Sequence, residues 1–499
     1  MSISLYARLA RRFAPHPTDE ERREFLRASM AAGAALMLSG PGALGAARGR
    51  ADQRIIVIGA GLAGLACAHE LLNDGHDVLV LEARNRIGGR VLTFDDFVPG
   101  RTIEGGGELI GANHPLWIAY AARLNLAFTD VTESEGEFPV VLGGRRLTAA
   151  QAEQLWEEMT GALPAINADA LPVNPDFPWR SPDAAVLDAR SVRQWIDAQD
   201  VSPLCGAGLA AQLAADNAVA PERQSYLALL ACVRAGGFEK YWTDSEAYRC
   251  RGGNAQLARA LADRIGPARI FTRAPVESVE RAGNGVRIRA ADGREWMGDQ
   301  AVLATPPTVW PRVRFEPALP ADLAPQMGCA IKHLSHVRSR FWERDGLSAD
   351  MMTDGEVGMT WDATDGQHVA PGGGAEPEAC LTAFSGGPGA ERLRGREADD
   401  RERVYAAELG AVYTNRAANL RGTRFMDWPG DEWARCGYSF PAPGEVTRLG
   451  PRLNAPLWDG RLHLAGEHTC IKFVGYMEGA LQSGVRIARR IARRDRADR

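Results

Sequence analysis

The first strongly patterned stretch of the chain is Arg54-Ile55-Ile56-Val57-Ile58, which after its first residue is wholly apolar and β-branched. Such a run predicts a parallel strand buried on both faces. It stops at Gly59-Ala60-Gly61-Leu62-Ala63-Gly64, after which Leu65, Ala66, Ala68, Leu71 and Leu72 recur at helical spacing. A second apolar run, Val78-Leu79-Val80-Leu81, ends on Glu82. Strand, glycine loop, helix, strand and acid thus follow in the order of a dinucleotide-binding unit. The first glycine permits a tight turn, the second lets the backbone approach a pyrophosphate, and the third lets helix and strand pack closely; the helix N-terminus then faces the phosphates. Glu82 lies 18 residues past Gly64, where an acid holds ribose hydroxyls. No second GxGxxG followed by a helix occurs, which argues against a separate nicotinamide domain.

Beyond this unit the periodicity weakens. Asn113-His114-Pro115 reads as a helix start, with Asn113 as cap and Pro115 in the first turn. The stretches 109–245 and 306–425 are rich in Trp, Pro and Gly and carry no repeat; within the second, Pro371-Gly372-Gly373-Gly374 predicts a surface loop. Upstream, Glu21-Arg22-Arg23-Glu24-Phe25-Leu26-Arg27 leads into a short, mildly apolar run from Ala28 to Leu38 and then into Gly/Pro/Ala-rich sequence. This layout resembles a twin-arginine export signal, with small residues for cleavage near 43–47 and an apolar run too short to span a bilayer. The expectation is a removable signal segment over 1–50, delivery to the Tat export machinery, a periplasmic or extracellular location and no transmembrane anchor.

Composition narrows the class. With 499 residues, 45% hydrophobic and 24% charged, the chain suits two or three folded domains and is unlike collagen, coiled coils or disordered sequences. A net charge of -5 gives no footprint for nucleic acid. Residues 1–50 hold eight arginines against four acids, a local +4, so the remainder carries -9. The eight cysteines form no CxxC pair, which removes the zinc-knuckle and dithiol readings. Among 58 basic residues only Lys240, Lys332 and Lys472 are lysines, so a lysine at a chemically meaningful spacing stands out.

The run Glu82-Ala83-Arg84-Asn85-Arg86-Ile87-Gly88-Gly89-Arg90 resembles the segment after the second strand in flavin amine oxidases, the family of monoamine, polyamine and L-amino-acid oxidases. Similar blocks continue at Glu104–Gly111, Arg251–Leu257, Pro275–Val279, Ala301–Pro307, Leu462–Thr469 and Gly475–Ala480. The resemblance implies an α/β fold: a discontinuous Rossmann-like FAD-binding domain of glutathione-reductase type over 51–108, 246–305 and 426–495, with an inserted α+β substrate domain over 109–245 and 306–425. It implies FAD contacts from Gly59, Gly61, Leu62, Ala63 and Gly64, and from Glu82, Ala83, Arg84, Gly89 and Arg90, whose guanidinium meets pyrophosphate charge. It also implies that Gly106, Gly107, Glu108 and Leu109 pass the flavin ring, that the Val276 backbone meets the adenine, and that Glu467, after Gly466, holds the ribityl chain. Gly475, Met477 and Ala480 complete the set, and a helix starting near 477 aims its amides at the flavin carbonyls.

The same resemblance assigns catalytic parts. Lys332 stands nine residues before Phe341-Trp342, the family's spacing for the lysine that holds a water against flavin N5. Tyr476 matches the ring that stands perpendicular to the flavin. A second ring opposite it completes an aromatic cage for an uncharged amine; counting forward from Trp428 places Tyr438 there, and counting back from Gly444 places Gly437. FAD is expected to be non-covalent, with a covalent link through the neighbouring Cys436 as the alternative. His333 and His336 lack a third ligand, so no metal site is expected. The implied activity is an oxidase that takes a hydride from an amine α-carbon, gives imine, then aldehyde and ammonia, and uses molecular oxygen as acceptor to form hydrogen peroxide. One alternative is an L-amino-acid oxidase, whose usual arginine clamp is replaced here by Leu109; the other is a desaturase or protoporphyrinogen-type oxidase.

Overall fold

A computed structural model describes residues 4–14, 53–132, 136–367 and 377–497. The apolar run Arg54–Ile58 is the middle strand of a five-stranded parallel sheet, ordered Leu462–Leu464, Gln300–Leu303, Arg54–Ile58, Asp77–Leu81, Ile270–Phe271. The sheet is covered on both faces, which is why the run has no polar alternation. Ile55 and Val57 pack against the helices Leu62–Asn73 and Met477–Ala497, whereas Ile56 and Ile58 pack against Val279, Val286 and Ile288 of a four-stranded sheet. Two helix contacts require glycine: a Cβ on Gly64 would lie 2.0 Å from Gly59 O, and one on Gly484 2.2 Å from Ala63 O.

The second half is built on a seven-stranded sheet in which Ala330–Val337 runs between Leu420–Asp427 and Ala379–Gly386. The helices Ala149–Ala170, Pro203–Asn217 and Tyr226–Gly236 share a core with the strand Val140–Leu142 of that sheet. The two halves are divided differently from the sequence boundaries in three places. The helix Pro115–Leu124 packs Leu116, Trp117 and Tyr120 into the core of the parallel sheet, because Glu478 accepts the Leu116 and Trp117 amides at 3.0 and 2.9 Å. The strand Arg314–Glu316 pairs with Val276–Ala282 on the same side. The strand Leu420–Asp427 crosses the 425/426 boundary because it pairs along its length with Ala330–Val337. The cap of Pro115–Leu124 is His114; Asn113 instead donates to Gly236 O and Ser245 Oγ.

The helix Leu5–Phe13 falls inside the stretch 1–50 expected to be a removable signal, yet it is seated in the core of the second half. Leu5 and Leu9 are 0% and 1% exposed. Ser4 caps the helix by accepting the Ala7 amide and itself donates to Trp242 O at 2.6 Å, Tyr6 N donates to Gln212 Oε1, and Arg8 pairs with Asp350 at 2.6 Å. Arg22-Arg23, the run to Leu38 and the loop at Pro371–Gly374 lie outside the described residues. Among the described residues, no helix is long and apolar enough to cross a membrane.

Candidate active site

A cavity of about 340 Å³ is lined from both halves. The glycine turn supplies one wall. Gly59 has a φ of +107°, and a Cβ there would meet Ala304 O at 2.9 Å, whereas a Cβ on Gly61 would meet nothing within 4 Å. Gly61 caps the helix Leu62–Asn73 without a side-chain hydrogen bond, which leaves first-turn amides to a ligand. Glu82 is held over this turn: its carboxylate accepts the Ala60 amide at 2.9 Å and the Arg84 amide at 2.8 Å. Arg90 donates to Gly437 O at 2.8 Å and to Glu467 Oε1 at 3.0 Å, and Glu467 also accepts the Gly475 amide at 2.9 Å. The second strand, the glycine pair and the closing segment are thereby tied around one space. His468 also lines it, 1% exposed, with neither ring nitrogen hydrogen-bonded among the described residues, and burial pushes its pKa down to about 3. An open glycine, uncapped helix amides and an orphaned buried imidazole fit a dinucleotide cofactor.

Lys332 reaches the cavity from the strand Ala330–Val337. Its ammonium donates to Glu104 O at 3.1 Å, Gly106 O at 2.8 Å and Glu108 Oε2 at 2.7 Å. The other oxygen of Glu108 accepts from Arg249 Nε and Trp361 Nε1, both at 2.8 Å. Burial alone would raise the Glu108 pKa, but Lys332 and Arg249 hold it below the usual range. Glu104 receives less help: burial raises it to about 7, although Asn254 N and Thr93 Oγ1 both donate to it.

Tyr438 and Tyr476 both line the cavity, as does Gly437. The Tyr438 hydroxyl donates to Ala215 O at 3.2 Å and Asp216 O at 3.0 Å, and Tyr476 packs edge-on against His114 at 5.0 Å. Behind Tyr476 is a second, much smaller space, which Ser4, Ala7, Asp216, Tyr241 and Glu246 help to line.

Most of the residues expected at the cofactor lie on this cavity: Gly59, Gly61, Leu62, Ala63, Glu82, Ala83, Arg84, Gly89, Arg90, Gly106, Gly107, Val276, Gly466, Glu467, Gly475, Met477 and Ala480. Three do not. Gly64 packs against the turn, Leu109 against Ala7 and Val131, and Glu108 turns its carboxylate to Lys332. Cys436 is also off the lining; its thiol donates to Ala434 O at 3.2 Å, and burial raises its pKa. His333 and His336 lie on a strand and bond separately to Glu402 and Glu378, and among the described residues no cluster could hold a metal ion.

Residues 62–492 match the family of flavin-containing amine oxidoreductases. The chain belongs to that family. Its cofactor is FAD, and its chemistry is amine oxidation. It is 26% identical over 477 residues to a flavin-containing amine oxidase of Oncorhynchus mykiss, covering 88% of this chain and 85% of that one. An L-amino acid dehydrogenase of Synechocystis is 26% identical over 458 residues, covering 87% and 94%. The solved structure of cyclohexylamine oxidase from Brevibacterium oxydans superposes with a TM-score of 0.77 at 28% identity, covering 90% of this chain and all of that one. Within this family member, sequence reasoning missed Arg312, Phe384, Trp433 and His468, which line the cavity, and Trp361 and Arg249, which hold Glu108. Phe384 and Trp361 had no signal in the sequence: Phe384 comes opposite Lys332 only through the strand register.

Proposed function

We propose that this enzyme oxidises a small primary amine that carries no carboxylate, with dioxygen as acceptor and hydrogen peroxide as product. The observation that carries the amine reading is the state of the cavity's arginines. Arg84 is paired with Asp431, Arg90 with Glu467 and Arg312 with Glu432, so among the described residues each guanidinium on the lining already has a carboxylate partner, which disfavours a fork clamp on an α-carboxylate. Leu109, at the usual clamp position, is packed against Ala7 and Val131. The rings of Tyr438 and Tyr476 offer apolar faces for a neutral amine.

When bound, FAD supplies the hydride acceptor. The chain's own part is to hold the cofactor by the glycine turn, Glu82 and Arg90, to exclude water with the tyrosine rings, and to present the amine's α-carbon between them. Similarity to an L-amino acid dehydrogenase keeps α-amino acids as the second reading. Anaerobic mixing with paired substrates decides between them: bleaching of the flavin by amines and not by the corresponding amino acids is expected, and the reverse order overturns the proposal. Admitting oxygen should then release one peroxide per flavin reoxidised.

Export by the twin-arginine route belongs to the same proposal, supported by Glu21-Arg22-Arg23-Glu24-Phe25-Leu26-Arg27 and the apolar run after it. The core position of Leu5–Phe13 sets its form, because cleavage near 43–47 would extract that helix. The expected finding is a periplasmic enzyme whose intact mass includes residues 1–50. Protein confined to the cytoplasm overturns export, and a mass shortened at the predicted site overturns retention.

A further inference from the structure

The small space behind Tyr476 has a volume of about 20 Å³, enough for one group the size of a water or an ammonium head. Two acids line it: Asp216, in the last turn of the helix Pro203–Asn217, and Glu246, just before the strand Tyr248–Cys250. The helix C-terminus adds its own negative potential beside Asp216. Among the described residues, no basic side chain lines the space. Arg8 faces both acids, but its guanidinium is paired with Asp350 at 2.6 Å. Glu246 is 7% exposed, and burial raises both carboxyls above the usual range, Asp216 to about 7.

The hydroxyls on the wall are already used. Ser4 donates to Trp242 O, Ser245 to Tyr241 O and Thr243 to Asp244. Asp216 Oδ1 and Trp242 Nε1 are not: both atoms are buried without a hydrogen-bond partner among the described residues, and Trp242 is only 5% exposed. Buried polar groups are nearly always bonded, so two open ones on the wall of one space mark it as a receiving site for a polar group. The sign of that group follows from the two acids. The rings agree with it, since Tyr241, Trp242 and Tyr476 complete the wall, with Tyr241 and Trp242 edge to face at 4.9 Å, and aromatic faces attract a cation.

We propose that Asp216 and Glu246 hold a second, charged amino group of the substrate, so that the enzyme prefers a diamine whose reacting nitrogen lies at Tyr438 and Tyr476 in the larger cavity. The proposal deepens the amine reading and rests on it. Both rings tie the two spaces together: Tyr476 lines each of them, and the Tyr438 hydroxyl donates to Asp216 O at 3.0 Å. A flexible carbon chain passing the edge of Tyr476 joins the two positions. The reacting nitrogen has to be neutral for its α-carbon to give up a hydride. The far nitrogen keeps its proton, because an alkyl ammonium titrates only near pH 10, and the two acids supply its countercharge. A carboxylate on the substrate would meet like charge here.

Photoreduced holoenzyme under nitrogen tests the site without turnover, because a flavin that is already reduced takes no hydride. Titration calorimetry compares cadaverine with n-pentylamine and with aminopentanol, which have the same chain length and one charge fewer. In the wild type cadaverine should bind roughly 10- to 100-fold more tightly than either. Asp216→Asn and Glu246→Gln should each lower the ratio of cadaverine to pentylamine affinity by about tenfold. A wild type that does not bind cadaverine, or shows no preference for it over pentylamine, overturns the proposal, whether or not the variants fold. So does aminopentanol binding as tightly as cadaverine, which would make the site polar and not cationic, and so does a ratio that survives both substitutions. The amine reading fails separately, when neither amine bleaches the oxidised flavin.

Discussion

The Ala60 amide donates to Glu82 Oε2 at 2.9 Å, so the acid that ends the second strand is also the clasp of the glycine turn. Its other oxygen takes the Arg84 amide, and Glu82 is only 4% exposed. Glu82→Ala removes both bonds and the ribose acceptor together. A hydrogen bond to a charged group contributes about 1.5–3 kcal/mol, so FAD affinity should fall roughly 10- to 100-fold. Release of flavin fluorescence on dilution measures it, and undiminished retention would contradict the assignment.

Gly61 and Gly64 separate cofactor fit from folding. Around Gly61 a Cβ meets nothing within 4 Å, whereas at Gly64 it would collide with Gly59 O at 2.0 Å. Gly61→Ala apoprotein should melt within about 0.5 kcal/mol of wild type and bind FAD weakly. Gly64→Ala should be strongly destabilised even without the cofactor. Calorimetry of both apoproteins checks the contrast; equal melting would show that the two glycines do the same job.

His114 should make the protein acid-sensitive. Its Nδ1 accepts the Gly111 amide at 2.8 Å, and burial pushes its pKa down to about 3. The unfolded chain takes up this proton first, near pH 6.5. Stability is therefore full above about 6.5 and falls continuously as the pH drops toward about 3. Between pH 6.5 and 5 the loss from this group is about 2 kcal/mol, and His468 adds a similar slope because burial lowers it to the same range. His114→Asn, which retains an acceptor, should flatten the melting-temperature profile over that interval; an unchanged slope would remove His114 from the account.

Leu9 tests whether the N-terminal helix is integral. At 1% exposure within the core of the second half, Leu9→Ala should cost about 2–5 kcal/mol. Chemical denaturation reads this directly, and a change below about 0.5 kcal/mol would mean that the helix is dispensable.

The parallel-sheet half was legible because its signals are local: a β-branched run, three glycines and an acid at fixed spacing all lie within residues 54–82. The placements of Lys332, Tyr438 and Tyr476 on one cavity were legible only through family resemblance, since Lys332 meets the two tyrosines across more than a hundred residues. Trp361 and Arg249 could not be read at all. Their role exists only once Met359–Asp362 lies beside Ala379–Gly386 and Glu108 is carried to both. The same reason explains why the strand Leu420–Asp427 straddles the 425/426 boundary, for it is assigned by its partner and not by its own composition. Nothing in Leu5–Phe13 announced that its partners are Gln212, Trp242 and Asp350.

Those partners give the N-terminal helix a peculiar place in the life of the chain. Its contacts span 206 and 238 residues to Gln212 and Trp242, and reach on to Asp350. Loops of that length close late in folding. A helix whose partners lie so far along the chain is thus among the last to dock. Until Gln212, Trp242 and Asp350 have been made and brought to it, the Leu5–Leu9 face lacks the partners that bury it in the folded protein.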